Sequence, residues 1–127
     1  MILVQSVNEN TENDFIVPWC SYFKVKEFAC HDLNCNILFI SMDLVLRLSL
    51  VRKLFEKPMT ITSAYRTPEY NKKIGGHPQS KHLSGYAVDI QMPLYDDTKL
   101  IDLLTKSFDT VIVNYQKGYI HCQINKI

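Results

Sequence analysis

Apolar positions recur every three or four residues in two segments of the chain, and a third segment has the start and stop signals of a helix, so three helices are predicted. The first runs from Met42 to Glu56, directly after a serine that suits the N-cap. The second, over Thr67–Ile74, has proline at its first helical position and ends at a glycine pair. The third follows Asp96 and Asp97, whose carboxylates favour the positive end of a helix.

Other segments alternate between apolar and polar positions, as half-buried strands do. Strands are predicted over Thr60–Thr62, Tyr86–Met92, Thr110–Tyr115 and Tyr119–Ile124. The last two form a hairpin that turns through Gly118. We expect loops over His77–Gly85 and over the polar segment Asn8–Asp14, which is predicted to be a loop or mobile arm. The order of elements predicts an α+β fold, with a mainly antiparallel central sheet of about four strands and helices packed on it.

Composition limits the function classes. The chain has 127 residues, 46% of them hydrophobic, which predicts a single domain over residues 1–127. With 14 Lys+Arg against 13 Asp+Glu, the net charge of +1 provides no field for nucleic acid, and we expect no nucleic-acid partner. Residues 1–7 have no basic start and are too short to span a bilayer. We therefore expect a monomer without membrane anchor, made in the cytoplasm without a signal peptide.

Three residues have the chemistry of zinc ligands. Asp89 and His121 fall on the more polar faces of two predicted strands, and His82 lies in the loop before the first of these strands. If the strands are neighbours, the three side chains can converge, and a catalytic zinc site uses three protein ligands and leaves one position to water. Taken alone, the same residues also fit solvated or hydrogen-bonded positions in a sheet.

A longer pattern surrounds these residues. It consists of Ser63-Ala64-Tyr65-Arg66, Asn71, Gly75-Gly76, Ser80-Lys81-His82 and Gly85-Tyr86-Ala87-Val88-Asp89-Ile90, followed by the distant His121. The pattern S-x-x-R, N, G-G, S-x-H-x-x-G-x-A-x-D resembles that of the M15 family of zinc D,D-peptidases. This family includes D-alanyl-D-alanine carboxypeptidases and peptidoglycan endopeptidases of phages and bacteria. Residues 22–30 look like the opening of its phage-type subgroup.

The resemblance implies a Hedgehog/DD-peptidase-like fold and one zinc ion per chain, bound by His82, Asp89 and His121. It also implies that Arg66 faces the site and holds a substrate carboxylate or carbonyl oxygen. The alternative for Arg66 is a surface ion pair with Glu69. A further implication is that the Ser80 hydroxyl hydrogen-bonds the substrate or a ligand residue.

The activity implied by the resemblance is hydrolysis of a peptide bond involving D-amino acids in peptidoglycan. The partner would be a stem peptide or cross-bridge of the bacterial cell wall. The absence of a predicted signal peptide fits a phage endolysin, which would be made in the host cytoplasm and act on the cell wall.

One departure from the family pattern concerns the general base. The family places Glu or Asp shortly before the last histidine, but residues 110–120 contain no acid, and Asn114 occupies about that position. An amide cannot accept a proton from water, and losing a general base costs about 10²–10⁴-fold in rate. Either another acid acts, or activity is low, or the domain binds zinc and muropeptide or another partner without turnover. The other acids considered are Glu69, Asp96, Asp97 and Asp109.

The four cysteines do not form a recognisable zinc motif. Cys30 and Cys35 are separated by four residues, which is not the usual spacing of a zinc pair. Without a signal peptide we expect free thiols, although an oxidising compartment would allow a disulfide between these two. Cys122 follows His121 in sequence but lies on the apolar face of the strand, and it is predicted to be a small core residue.

Overall fold

The computed structural model describes residues 1–32 and 35–125, which form eight strands and four α-helices. The strands are β1 (Ile2–Ser6), β2 (Phe15–Val17), β3 (Cys20–Lys24), β4 (Ile37–Ser41), β5 (Ile61–Ser63), β6 (Ala87–Gln91), β7 (Thr110–Asn114) and β8 (Tyr119–Gln123). The helices are α1 (Val25–Phe28), α2 (Met42–Phe55), α3 (Pro68–Lys73) and α4 (Asp97–Ser107), and a 3₁₀ helix covers Lys81–Ser84. In the described part of the chain, no helix combines the length and apolarity needed to cross a membrane.

The central sheet has four strands in the order β5-β6-β8-β7, and every neighbouring pair is antiparallel. This confirms the α+β fold and the antiparallel sheet predicted from the sequence. The predicted hairpin is β7 and β8, whose turn closes when the Gly118 N–H donates to the Asn114 carbonyl at 2.8 Å. The first strand of this sheet lies one residue later than predicted, over Ile61–Ser63.

Helix α2 provides much of the hydrophobic core beside the sheet. It begins where the Ser41 hydroxyl accepts a hydrogen bond from the Leu44 N–H, and its buried residues include Leu48 and Val51. The helix ends at Glu56, which adopts a left-handed conformation with φ 63. It packs against α4. The boundaries predicted for α2 hold to within one residue.

Two further sheets were not predicted from the sequence. In the first, β1 pairs antiparallel with β4, and in the second, β2 pairs antiparallel with β3. The β1–β4 pair joins segments about thirty residues apart, and these strands lack a strict apolar and polar alternation. Their stability depends on tertiary packing, because an isolated two-stranded sheet is at best marginally stable in water.

The predicted loops contain local structure. Residues 8–14 form turns, and the carbonyls of Asp14 and Glu12 accept hydrogen bonds from the N–H groups of Val25 and Lys26. The prediction that residues 77–85 form only a loop is wrong, because the 3₁₀ helix lies inside this segment. Ser80 is the N-cap of this 3₁₀ helix, and its hydroxyl accepts a hydrogen bond from the His82 N–H at 3.2 Å.

Gly85 and Gly118 provide a matched pair for testing whether the contact between Gly85 and β4 constrains the fold. Both have positive φ, 80° and 75°, but a methyl group on Gly85 would lie 2.5 Å from the Phe39 carbonyl oxygen, whereas Gly118 faces open space. Replacing Gly118 with Ala costs conformational energy alone, about 1–2 kcal/mol. Gly85→Ala adds overlap with β4, so we expect a loss of about 2–5 kcal/mol.

The measurement is urea-induced unfolding of both variants and the parent, followed by circular dichroism. Equal losses for the two variants would mean that β4 can move aside, and that the contact between Gly85 and β4 does not constrain the fold.

Candidate metal centre

Asp89 and His121 face each other across the centre of the sheet. They are register partners in β6 and β8, and directly opposite residues share a face of an antiparallel sheet. The Ile124 N–H donates to the Tyr86 carbonyl at 3.0 Å, so the alternating ladder makes the Asp89–His121 pair a non-hydrogen-bonded one. Side chains approach most closely at such pairs, and His121 Nδ1 lies 2.8 Å from Asp89 Oδ1.

His82 reaches the same carboxylate from the 3₁₀ helix. Its ring is 2% exposed, and its Nδ1 lies 2.7 Å from the Ala64 carbonyl oxygen. A carbonyl can only accept, so Nδ1 carries the hydrogen and Nε2 presents a lone pair. This Nε2 lies 3.3 Å from Asp89 Oδ1 and has no hydrogen-bond partner among the described residues. Two acceptor atoms therefore face each other in a buried position.

The structure brings the three predicted ligands together. One ligand atom from each of His82, Asp89 and His121 lies within 4.8 Å of the others. Two imidazole nitrogens and a carboxylate oxygen are ligands that zinc accepts, and three protein ligands leave a position for water or substrate. The orphaned Nε2 of His82 fits this use, since a cation between it and Asp89 would satisfy both acceptors.

The charge state of the cluster is suited to a cation. Burial alone would raise the pKa of Asp89, but the pKa lies below its usual value, chiefly because of the hydrogen bond with His121. Burial alone would lower the pKa of His121, whereas its hydrogen bonds with Asp89 and Gln123 raise the pKa above its usual value. Asp89 is consequently ionised at neutral pH, and its carboxylate oxygens can bind a cation once His121 is neutral.

Arg66 contacts the outer oxygen of the same carboxylate. Its Nη2 lies 3.6 Å from Asp89 Oδ2, while Nε donates to Ser63 Oγ and Nη1 donates to Asn71 Oδ1, both at 3.2 Å. The alternative expectation, a surface ion pair with Glu69, is wrong, because the Arg66 side chain is only 14% exposed and faces Asp89. Its contact with substrate stays a prediction.

Asn71 holds Arg66 in place, a role that the sequence pattern did not indicate. Its side chain is 3% exposed, and its Nδ2 donates to the His77 carbonyl at 2.9 Å while its Oδ1 accepts from Arg66. Because both the oxygen and the nitrogen of this buried amide are hydrogen-bonded, the amide fixes the orientation of the Arg66 guanidinium. Asn71 lies in α3, directly after the loop that carries Arg66.

The remaining predicted residues have local roles. Ser80 accepts from the His82 backbone, as described above, and thereby orients the turn that carries this ligand. Asn114 ends β7, and its Oδ1 accepts from the Lys117 N–H at 2.9 Å, so it caps the hairpin turn. Of the other acids considered as the base, Asp109 pairs with Arg47 at 3.6 Å and Asp96 pairs with Lys57.

The cysteines take no part in the cluster. All four are free thiols, as expected, and the core position predicted for Cys122 is confirmed by its complete burial. Burial raises the pKa of the Cys122 thiol, which keeps it protonated and apolar beside His121.

The comparison with protein families agrees with this geometry. The family model described as Peptidase M15 matches residues 21–123, a span that contains all three candidate ligands and Arg66. No curated protein sequence matches the chain significantly.

We expect the purified chain to bind about one zinc ion, and the His82→Ala variant to lose it, because removing Nε2 leaves only two ligands. His77→Ala is the matched control, since the His77 residue is exposed and its Nδ1 accepts from the Gln79 N–H, away from the candidate ligands. The measurement is metal content after dialysis, by mass spectrometry, with circular dichroism to check folding. A folded His82→Ala variant that retains its zinc would contradict the assigned site.

Proposed function

Because the chain belongs to the M15 peptidase family, we propose that it hydrolyses a peptide bond involving D-amino acids in bacterial peptidoglycan, with zinc held by His82, Asp89 and His121. The observation that supports this most is the buried Nε2 of His82, which faces the Asp89 carboxylate without a hydrogen bond in the described part of the chain. Zinc bound in such a site polarises a carbonyl and lowers the pKa of its bound water to about 7.

Arg66 is the residue suited to binding the substrate. Ser63 and Asn71 hold its Nε and Nη1, so the direction of the guanidinium is set before substrate arrives. Its planar donors can hold a carboxylate or a carbonyl oxygen beside the ligands, and a donor fixed in advance needs no reorganisation during the reaction. This would orient the peptide and stabilise negative charge that develops on the carbonyl oxygen.

Substrate would approach from the side of β7 and β8. His82 and Asp89 are buried, whereas His121 is partly exposed and opens the cluster on one side. Ile112 is the register partner of His121 in β7, shares its face and is 56% exposed. An apolar side chain at this position suits contact with a small aliphatic group, such as the methyl group of alanine.

The proposed biological setting follows from the family resemblance. The partner would be a stem peptide or cross-bridge of peptidoglycan, and the protein would act on the cell wall as an endolysin-type enzyme, released after synthesis in the host cytoplasm. We propose that it acts as a monomer, because the ligand set comes from one chain.

A second candidate function is favoured by Asn114. Its amide cannot take a proton from water, and its Oδ1 is already engaged with the Lys117 N–H. A chain with the zinc ligands and Arg66 but without a base would bind muropeptide or another partner and turn it over slowly or not at all. The two candidates share the metal site and differ in catalysis.

The direct test is incubation of the zinc-loaded protein with purified peptidoglycan or defined muropeptides, with products identified by mass spectrometry. We expect released D-alanine or new amino groups from the parent, none from His121→Ala, and parent activity from His77→Ala. If the parent binds muropeptide but yields no product over long incubation, the peptidase proposal fails and the binding function is favoured.

Asn114→Glu tests the missing base. Asn114 is the register partner of Tyr119, so it lies diagonally across from His121, and diagonal neighbours in such a sheet are about 7–8 Å apart. A glutamate there can extend toward a water at the open position of the zinc. We expect hydrolysis to increase by about 10²–10⁴-fold, the usual contribution of a general base.

The matched control for this variant is Asn114→Gln, which has the same length as glutamate but no carboxylate, and it should stay at the parent rate. The measurement is the turnover rate of both variants at neutral pH. Equal rates for the glutamate and glutamine variants would mean that the base does not act from this position.

A further inference from the structure

We infer that Gln123 is a positioning residue for the metal, because its side-chain carbonyl can hold the Nε2–H of His121 while Nδ1, which faces Asp89, binds the cation. This inference rests on the proposed zinc site and adds a residue that the sequence pattern did not indicate.

The geometry places Gln123 directly behind His121. The two residues are two positions apart in β8 and therefore lie on the same face of the sheet. Gln123 Oε1 lies 2.9 Å from His121 Nε2, on the other edge of the ring from Nδ1, which lies 2.8 Å from Asp89 Oδ1. The imidazole is thus held between a carboxylate in the cluster and an amide outside it.

The chemistry of the ring decides which nitrogen can bind. A neutral imidazole carries one hydrogen, so a metal on Nδ1 requires the hydrogen to be on Nε2. An acceptor at Nε2 favours this tautomer, fixes the ring orientation and raises the basicity of the ligating nitrogen. Gln123 Oε1 is such an acceptor. Among the described residues, it is the hydrogen-bond acceptor at His121 Nε2.

His82 has the same kind of support from a different group. The Ala64 carbonyl accepts its Nδ1–H and leaves Nε2 facing the cluster. Each imidazole therefore has an oxygen acceptor on the nitrogen that points away from Asp89. For His82 this acceptor is backbone and cannot be removed by substitution, whereas for His121 it is a side chain and can be tested.

The test compares zinc affinities of full-length variants by competition with a chromophoric chelator at fixed neutral pH. Gln123→Leu has a similar size and no acceptor, and it should bind zinc about 10–100-fold more weakly than the parent. Gln123→Glu keeps an acceptor oxygen and should bind at least as tightly as the parent. This rescue separates hydrogen bonding from a loss of packing.

Gln91 provides matched controls on the neighbouring strand. It lies two residues after Asp89 in β6, as Gln123 lies two residues after His121, but its side chain makes no hydrogen bond within residues 1–32 and 35–125. Gln91→Leu should keep parent affinity. Gln91→Glu measures how much an added charge near the site increases zinc affinity, and this gain is subtracted from that of Gln123→Glu.

A spectroscopic measurement checks the tautomer itself. The chain has 4 histidines, so long-range nitrogen–proton correlation spectra of the zinc-loaded parent can be assigned with single substitutions. We expect the hydrogen of His121 on Nε2 and the metal on Nδ1. A hydrogen on Nδ1 in the zinc-loaded parent would overturn the inference.

The zinc affinities of the variants also test the role of Gln123. Parent affinity in Gln123→Leu, or an equal loss in Gln123→Leu and Gln123→Glu, would overturn the role of Gln123. If the variants behave as expected and no peptide bond is cleaved, the inference stands and the proposed peptidase function fails. A parent that takes up no zinc contradicts both.

Discussion

The Asp89 carboxylate is the point on which the site depends, because its Oδ1 is shared by two imidazoles while its Oδ2 faces a guanidinium. His121 Nδ1 and His82 Nε2 lie 2.8 and 3.3 Å from Oδ1, and Arg66 Nη2 lies 3.6 Å from Oδ2. The buried Nε2 has no hydrogen bond within the described chain, and leaving such a group unsatisfied costs about 1–3 kcal/mol. A protein keeps such an atom where a ligand can satisfy it, and the proposed zinc ion would do so here.

The sheet explains how two ligands far apart in sequence meet. Asp89 and His121 belong to neighbouring antiparallel strands, and a slip of one residue in this register would turn His121 to the opposite face, where Cys122 is buried. The hydrophobic core on one face of the sheet therefore sets the register. This register places the candidate ligands opposite each other on the other face. Gly85 supports the same arrangement, since its close approach to Phe39 holds the turn that carries His82 against β4.

Sequence patterns predicted the parts of this structure that depend on local periodicity. The helix over Met42–Phe55 has an N-cap and regular apolar spacing, and the β7–β8 hairpin has its glycine. The pairing of β1 with β4 depends on contacts between distant segments, which periodicity does not encode. In the site, residue types on two predicted strands made three residues candidates for metal ligands, and the resemblance to the M15 family selected them. Gln123 had no signal, because its role arises only when its strand places it beside His121.

Binding and turnover are separable in this arrangement. The candidate ligands and Arg66 occupy β6, β8 and the segments beside them, whereas Asn114, which we propose stands at the family's position for a general base, ends the edge strand β7. Replacing that base removes no contact of the metal ligands, and the amide of Asn114 gains a backbone partner in the turn, at Lys117. Loss of the base therefore costs the fold little, while it costs proton transfer about 10²–10⁴-fold. On the functions proposed above, the same scaffold would hold substrate with or without rapid hydrolysis, depending on one side chain at the sheet edge.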